Sequence, residues 1–327
     1  MSGFQAARDT LAWTAGQLTI WAAIQNIPPR GIMNLQQLLG DQPASKFVEE
    51  HYQRLPFSMT GTARPCCELG TWESLGAILA GDNPDVMVVR RGQQYDGPDP
   101  ADSDSARRLA DDGFTILIRH AERHDARIAE LARSFQRSLG GEVNVHMYAT
   151  PAEQFGFGWH YDAEEVFIVQ TTGVKEYSLR KNTVNPWPLE ETLPADMRYE
   201  REIMPLMRCR LSAGDWLYIP SGYWHMAAAE ESAISLAIGV MPRTGVDVFD
   251  SLRPHVLDSL LWRQRLPTAG EASPLNDAEL IAHYRQLAEQ WADDLRRSLT
   301  SDRAIKQWIA EQRINEIREP TSSDTPE

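Results

Sequence analysis

Cysteine is scarce: only Cys66, Cys67 and Cys209 occur among 327 residues. Adjacent cysteines such as Cys66 and Cys67 bridge one another only with strain, and the three match no zinc-ligand spacing. A disulfide framework and a cysteine-built zinc site are therefore excluded as organising features. No apolar run reaches the roughly 18 residues that a membrane span requires. The opening stretch MSGFQAARDTLAWTAG lacks a basic segment followed by an apolar block and a small-residue cleavage site, so the expected location is the cytoplasm. Positive charge is also short, with 32 Lys and Arg against 46 Asp and Glu and a formal net charge of −14. Such a balance repels phosphate backbones and argues against broad nucleic-acid binding. A basic protein or a neutral small molecule is the easier partner.

What is present is a globular composition, 42% hydrophobic and 24% charged, long enough for one large core with an appendage. Residues 1–32 carry Trp13, Trp21 and several alanines at loosely helical spacing and end at Pro28, Pro29 and Gly31, which predicts a helical N-terminal extension. NLQQLLGDQPASKFVEEHYQRLPFSM then gives two short amphipathic pieces, and DGPDPADSD (96–104) a solvated loop. GFTILIRHA is a buried strand, and ERHDARIAELARSFQRSL has helical periodicity through Ile128, Leu131, Ala132 and Phe135.

From Glu142 to about Val240 the pattern changes to short strands separated by turns. VNVHMYAT, EEVFIVQTTG and KEYSLR are followed by CRLSAGDWLYIPSGYWHMAAAEESAISLAIGV, which holds three strands split by AGD and PSG turns. Many short strands at this spacing predict a sandwich or barrel. The expected organisation is a catalytic domain over 33–242, a helical region over 243–318 and a disordered tail over 319–327. In the helical region Leu280, Tyr284, Leu287, Trp291 and Leu295 form a stripe, and Phe249, Leu252, Val256, Leu260, Leu261 and Trp262 exceed one amphipathic face. That surplus fits packing on the barrel or a homodimer interface.

The chemical signal is W-H-Y-D at 159–162. On a strand, positions i and i+2 point to one face, so His160 and Asp162 can grip one ion, and His225 after the PSG turn can meet them from across a barrel. Two histidines and a carboxylate on one face of an octahedron leave three positions open, as in non-haem Fe(II) oxygenases. A zinc site with three protein ligands remains compatible. His51, His120, His124, His255 and His283 lack such a frame and are read as surface or core residues.

GFGWHYDAEEVFIVQTTGVKEYSL and LSAGDWLYIPSGYWHMAAAEESAISLAIGV together resemble the JmjC-containing, ribosomal-oxygenase-like branch of the cupin superfamily, over roughly residues 33–265. The resemblance implies a mainly β fold with helical flanks, a double-stranded β-helix (JmjC/cupin jelly roll). It also implies an Fe(II)- and 2-oxoglutarate-dependent dioxygenase using O2, with His160, Asp162 and His225 as metal ligands. Lys175, on the strand after the Gln170-Thr171-Thr172-Gly173 turn, takes the family's position for a cation that pairs with the distal carboxylate of 2-oxoglutarate, as a dicarboxylate chelating the metal by its keto-acid end requires. Some relatives place a cosubstrate-holding asparagine where this chain has His146. Asn144 shares its face in a regular strand, so either residue can face the cavity or be a satisfied core polar group. Tyr148, Thr172 and Ser235 are further cavity candidates or buried hydrogen-bonding residues. Trp159, Trp216 and Trp224 are read as core.

The implied reaction is hydroxylation of an amino-acid side chain in a protein, ribosomal proteins being the leading class. One departure bears on this, because residues 275–318 are too short and too uniformly helical for the winged-helix module usual in ribosomal oxygenases. A small molecule or a free amino acid competes as substrate. A cofactor-free metal isomerase or dioxygenase and a catalytically silent metal-binding interaction module are the readings from other classes.

Overall fold

The computed structural model describes residues 33–194, 197 and 204–313; the expected extension over 1–32 and tail over 319–327 lie outside them. Eleven strands are present among the described residues: β1 Phe57–Met59, β2 Asp85–Arg90, β3 Gln93–Gln94, β4 Thr115–Arg119, β5 Glu142–Thr150, β6 Glu165–Thr172, β7 Val174–Arg180, β8 Met207–Ser212, β9 Trp216–Ile219, β10 Trp224–Ala229 and β11 Ala233–Met241. They form an eight-stranded sheet in the order β1-β9-β6-β11-β5-β4-β2-β3 and a three-stranded sheet in the order β10-β7-β8. All the named pairings are antiparallel. The two sheets are the jelly-roll walls of a double-stranded β-helix with helical flanks.

Period-two alternation divides the large sheet into two faces. Val145, Met147 and Ala149 of β5, Phe167 and Val169 of β6, and Ile234, Leu236, Ile238 and Val240 of β11 enter a core shared with the helices Leu35–Leu38, Ala44–Glu50 and Ala126–Leu139. The last helix starts on Asp125, whose carboxylate accepts the Arg127 and Ile128 amides, and ends at Gly140. Its buried Ile128, Leu131, Ala132 and Phe135 recur at helical spacing, as the sequence predicts. Phe47, Phe167 and Tyr218 meet with ring centroids 4.8–6.0 Å apart, and Phe135 lies 5.0 Å from Phe167. Trp216, read as core, is fully buried and its indole N–H donates to the Leu38 carbonyl at 3.1 Å. This one-sided core fixes the register of the sheet, since a slip by one residue would turn every one of these side chains inward.

The other face looks toward the small sheet. At one end Val166, Ile168, Leu217 and Ile219 pack on Tyr177, Leu179 and Leu211. Elsewhere the inward positions are small or polar, Asn144, His146, Tyr148 and Thr150 on β5 and Ser235, Ala237 and Gly239 on β11, and the sheets leave a cavity between them. Beyond the barrel come five helices among the described residues, of which Asp277–Leu299 and Asp302–Gln312 are the longest. In that stripe Leu287 is buried, and Trp291 stacks on Trp262 with centroids 5.2 Å apart. Among the described residues no strand interrupts 275–313. Phe249, Leu257, Leu260 and Ile281 are exposed. No helix among the described residues is long and apolar enough to cross a membrane.

Candidate metal centre

His225, the second residue of β10, is aimed by two turns. Asp215 accepts the amides of Gly61 and Ser212, both at 2.8 Å, and so holds the AGD turn between β8 and β9. After β9 the chain turns over Pro220-Ser221-Gly222, closed by the Tyr223 amide on the Pro220 carbonyl at 3.2 Å. The same turn grips the other half of the site, because the Gly222 amide donates to the Asp162 carbonyl at 2.9 Å. Gly222 has φ +78°, and a Cβ there would stand 2.8 Å from the Pro186 carbonyl oxygen. Gly222→Ala is therefore expected to cost about 1–3 kcal/mol by strain and overlap, read as a lower midpoint in thermal denaturation. An unchanged midpoint would show that the turn relaxes freely.

His160 and His225 pair through their own backbones in an isolated antiparallel bridge, with N–H···O distances of 3.1 and 2.8 Å. Their rings lie 4.2 Å apart between centroids. Each Nδ1 sits against a carbonyl two residues back, His160 on Gly158 at 2.8 Å and His225 on Tyr223 at 3.0 Å. A carbonyl can only accept, so Nδ1 carries the proton in both rings and each Nε2 is left as a lone-pair donor for a metal. Burial, reinforced by the neighbouring His160, pushes the His225 imidazole down to about 4, which keeps it neutral. Asp162 Oδ2 lies 3.4 Å from His225 Nε2, against about 3 Å for cis donors each about 2.1 Å from one ion. Ligand atoms of His160, Asp162 and His225 all fall within 4.8 Å of one another, the only such group among the described residues.

The centre opens into a cavity of about 300 Å³. Lys175 projects into it from β7, is 4% exposed, and donates from Nζ to Ser235 Oγ at 3.0 Å. The ring of Tyr148 lies 5.7 Å from the same nitrogen. No carboxylate among the described residues forms an ion pair with Lys175, and burial pushes its ammonium down to about 7. A buried cation without a counter-ion is costly, so the site suits an anionic ligand group at that point. The register partners of Lys175 and His225 put them at opposite ends of β7: Lys175 pairs with Ala229, and His225 with Leu179 four residues on. That separation is about 13 Å at roughly 3.3 Å per residue, bridgeable by a short dicarboxylate and the long lysine together.

The other candidates divide. His146, Tyr148 and Ser235 line the cavity. His146 Nδ1 accepts the His120 amide at 3.2 Å, so its Nε2 carries the proton; burial pushes this imidazole down to about 4. His120, read as a surface or core residue, has a positioning task here. Its ring nitrogen lies 3.2 Å from the buried Glu122, which also accepts the Val145 amide at 2.8 Å. Asn144 does not line the cavity; its amide is turned onto Glu164. Thr172 does not line it either, because the β6–β11 register shifts between Ile234 and Ser235 and its hydroxyl accepts the Ile234 amide at 3.0 Å. Trp224 is buried as expected, and Trp159 is half-buried.

Thr150, Arg119 and Glu164 are among the lining residues that the sequence does not single out. Alternation along β5 from His146 and Tyr148 points to Thr150, but nothing in the local pattern marks the other two.

Comparison with known proteins agrees with this geometry. The model of the JmjC domain family matches residues 116–248, the stretch that holds β4 to β11 and all three candidate ligands. Over these residues the chain resembles a JmjC domain. Among curated proteins it resembles the bifunctional lysine-specific demethylase and histidyl-hydroxylase NO66 of Drosophila sechellia, 31% identical over 56% of this chain and 32% of that protein. NO66 of Dictyostelium discoideum is 32% identical over 39% of this chain and 25% of its own length. The chain thus spans about a third or less of these relatives. Among solved structures, Escherichia coli ycfD superposes with a TM-score of 0.57 at 19% identity, covering 82% of this chain and 70% of that one. The ycfD ribosomal oxygenase in complex with cobalt and 2-oxoglutarate gives 0.55 at 20% identity, with the same coverage. At such identities the likeness is one of fold, and it places the JmjC domain within the jelly-roll architecture.

Proposed function

We propose that this JmjC domain is an Fe(II)- and 2-oxoglutarate-dependent oxygenase that hydroxylates an amino-acid side chain of a protein. In balanced form, substrate, O2 and 2-oxoglutarate give hydroxylated substrate, succinate and CO2. The observation that carries this is the pairing, in one cavity, of a two-histidine, one-carboxylate ligand set with a buried cation that has no counter-ion. The hydroxylase named among the relatives and the 2-oxoglutarate complex named among the structural neighbours favour the same chemistry.

His160, Asp162 and His225 would hold the iron, whose bound form supplies the oxidative chemistry. Everything else is the work of the chain. Lys175 and Ser235 anchor the distal carboxylate of 2-oxoglutarate and fix its direction. The Nε2–H of His146 is a further donor on the opposite wall. Tyr148, Tyr177 and Ile168 wall off the floor and limit water there. A homodimer through the exposed apolar residues of 246–281 belongs to the same reading and is checked by light scattering.

The test is turnover by the purified chain with Fe(II), ascorbate, O2 and 2-oxoglutarate. Succinate release above the protein-free rate is expected, together with a 16-dalton gain on a protein from the source cells. Tight zinc binding with neither product would sink the proposal.

A further inference from the structure

We propose that Glu165 is a positioning residue for the metal centre: from outside the cavity it holds the turn that aims His225, and it does so as a hydrogen-bond acceptor. This rests on the metal-centred oxygenase reading above. Glu165 opens β6 and is 2% exposed. Val166 and Ile168 of the same strand face the small sheet, so alternation puts Glu165 with Phe167 and Val169 on the helix side, and it does not line the cavity. A carboxylate in such a place is costly unless donors reach it. Burial pushes its carboxyl up, and the groups that offset this are two neutral donors, the Tyr218 hydroxyl and the Ser221 amide.

One oxygen gathers both donors. Glu165 Oε2 accepts the Tyr218 hydroxyl and, at 3.3 Å, the Ser221 amide; the Tyr218 oxygen in turn accepts the Gln53 amide at 2.7 Å. Ser221 is the middle residue of the PSG turn, and the next amide, that of Gly222, donates to the Asp162 carbonyl at 2.9 Å. Two successive amides of the turn are thus held by two residues of one short stretch, Asp162 and Glu165. Just past the turn, the Tyr223 carbonyl receives the Nδ1 proton of His225. The hold on Ser221 therefore reaches a metal-facing ring only four residues on.

This clamp does what the bridge between His160 and His225 does not. The bridge sets the two imidazoles against each other, but Asp162 lies outside it. The 3.4 Å between Asp162 Oδ2 and His225 Nε2 depends on how residues 162–165 sit against the turn. With the Glu165 side chain removed, Ser221 loses the acceptor of its amide, and the Asp162 carbonyl is the remaining hydrogen-bonding tie between that stretch and the turn among the described residues. The task asks for an acceptor and not for a charge: a glutamine carbonyl has the same reach and two lone pairs for the two donors.

The test uses the full chain and Co(II) without oxygen, with affinity read by isothermal titration and ligand arrangement by the visible absorption of the bound ion. In Glu165→Ala the Co(II) affinity is expected to fall by about 10–100-fold, the usual loss when a group that orients metal ligands is removed, and the spectrum to change. Glu165→Gln should keep the wild-type affinity and spectrum. Tyr218→Phe deletes a hydrogen bond to the same carboxylate but leaves Ser221 its acceptor, so its thermal midpoint should fall while Co(II) binding stays as in wild type. Glu165→Asp, whose oxygen falls short by one methylene, should also weaken binding, and it serves if the alanine variant does not fold. Three results would each overturn the proposal: wild-type binding in the alanine or aspartate variant, a glutamine variant as weak as the alanine one, or an equal loss in Tyr218→Phe, which would mark general loosening of the fold. Wild-type protein that binds no Co(II) overturns the metal centre and both readings. The expected affinity pattern without succinate release in the turnover assay overturns the oxygenase reading and supports this one.

Discussion

Asp162→Ala is expected to lower succinate production by more than about 100-fold. Second-layer residues around metal sites already change affinity or activity by about 10–100-fold when lost, and Asp162 is a candidate ligand itself. It is also the only anion of the set, so its removal leaves a divalent ion held by two neutral imidazoles with no charge compensation. The Gly222 amide binds the Asp162 main-chain carbonyl, which alanine retains, so the turn that aims His225 should stay in place. Isothermal titration with Mn(II) beside a succinate assay separates loss of metal from loss of chemistry. Full turnover in a variant shown to hold its metal would refute the ligand assignment.

Lys175→Met is expected to have two effects of opposite sign. The affinity for 2-oxoglutarate should fall by on the order of 100-fold, since truncating one partner of a buried charge pair costs about 2–5 kcal/mol. The metal- and cosubstrate-free protein should become more stable, because methionine fills similar volume without a charge to desolvate. The pH dependence fixes the sign. Burial brings the folded-state value of Lys175 from 10.5 down to about 7. Between those values the unfolded chain holds more protons than the folded one, so stability rises with pH across that window. The penalty is complete below about pH 7 and amounts to on the order of 5 kcal/mol at about 1.4 kcal/mol per unit. Chemical denaturation of both proteins at pH 6.5 and pH 9.5 should show their difference shrinking at the higher pH. A difference independent of pH would mean that Lys175 already has a counter-charge.

Much of this was legible in the sequence because the physics involved is local. Strand alternation placed His160 and Asp162 on one face, and the PSG turn announced the return that brings in His225. The helix Ala126–Leu139 follows from its own spacing of apolar residues. Thr172 resisted such reading, since a register shift between β6 and β11 is a property of two strands and leaves no mark on either. Asn144 and Glu164 form a pair 20 residues apart whose meeting depends on β5 and β6 flanking β11 and on the missing side chain at Gly239. The role of His120 is hidden from the sequence for a related reason. It acts through its backbone amide, which residue type does not reveal, from a left-handed conformation with φ +53°.

The main-chain bridge between His160 and His225 has a consequence for how this scaffold can diverge. The spacing of the two imidazoles is set by a pair of peptide groups, independently of the length of chain that joins them. Insertions or deletions between β7 and β8 can therefore change the chain length between the two histidines while the donor atoms keep their separation.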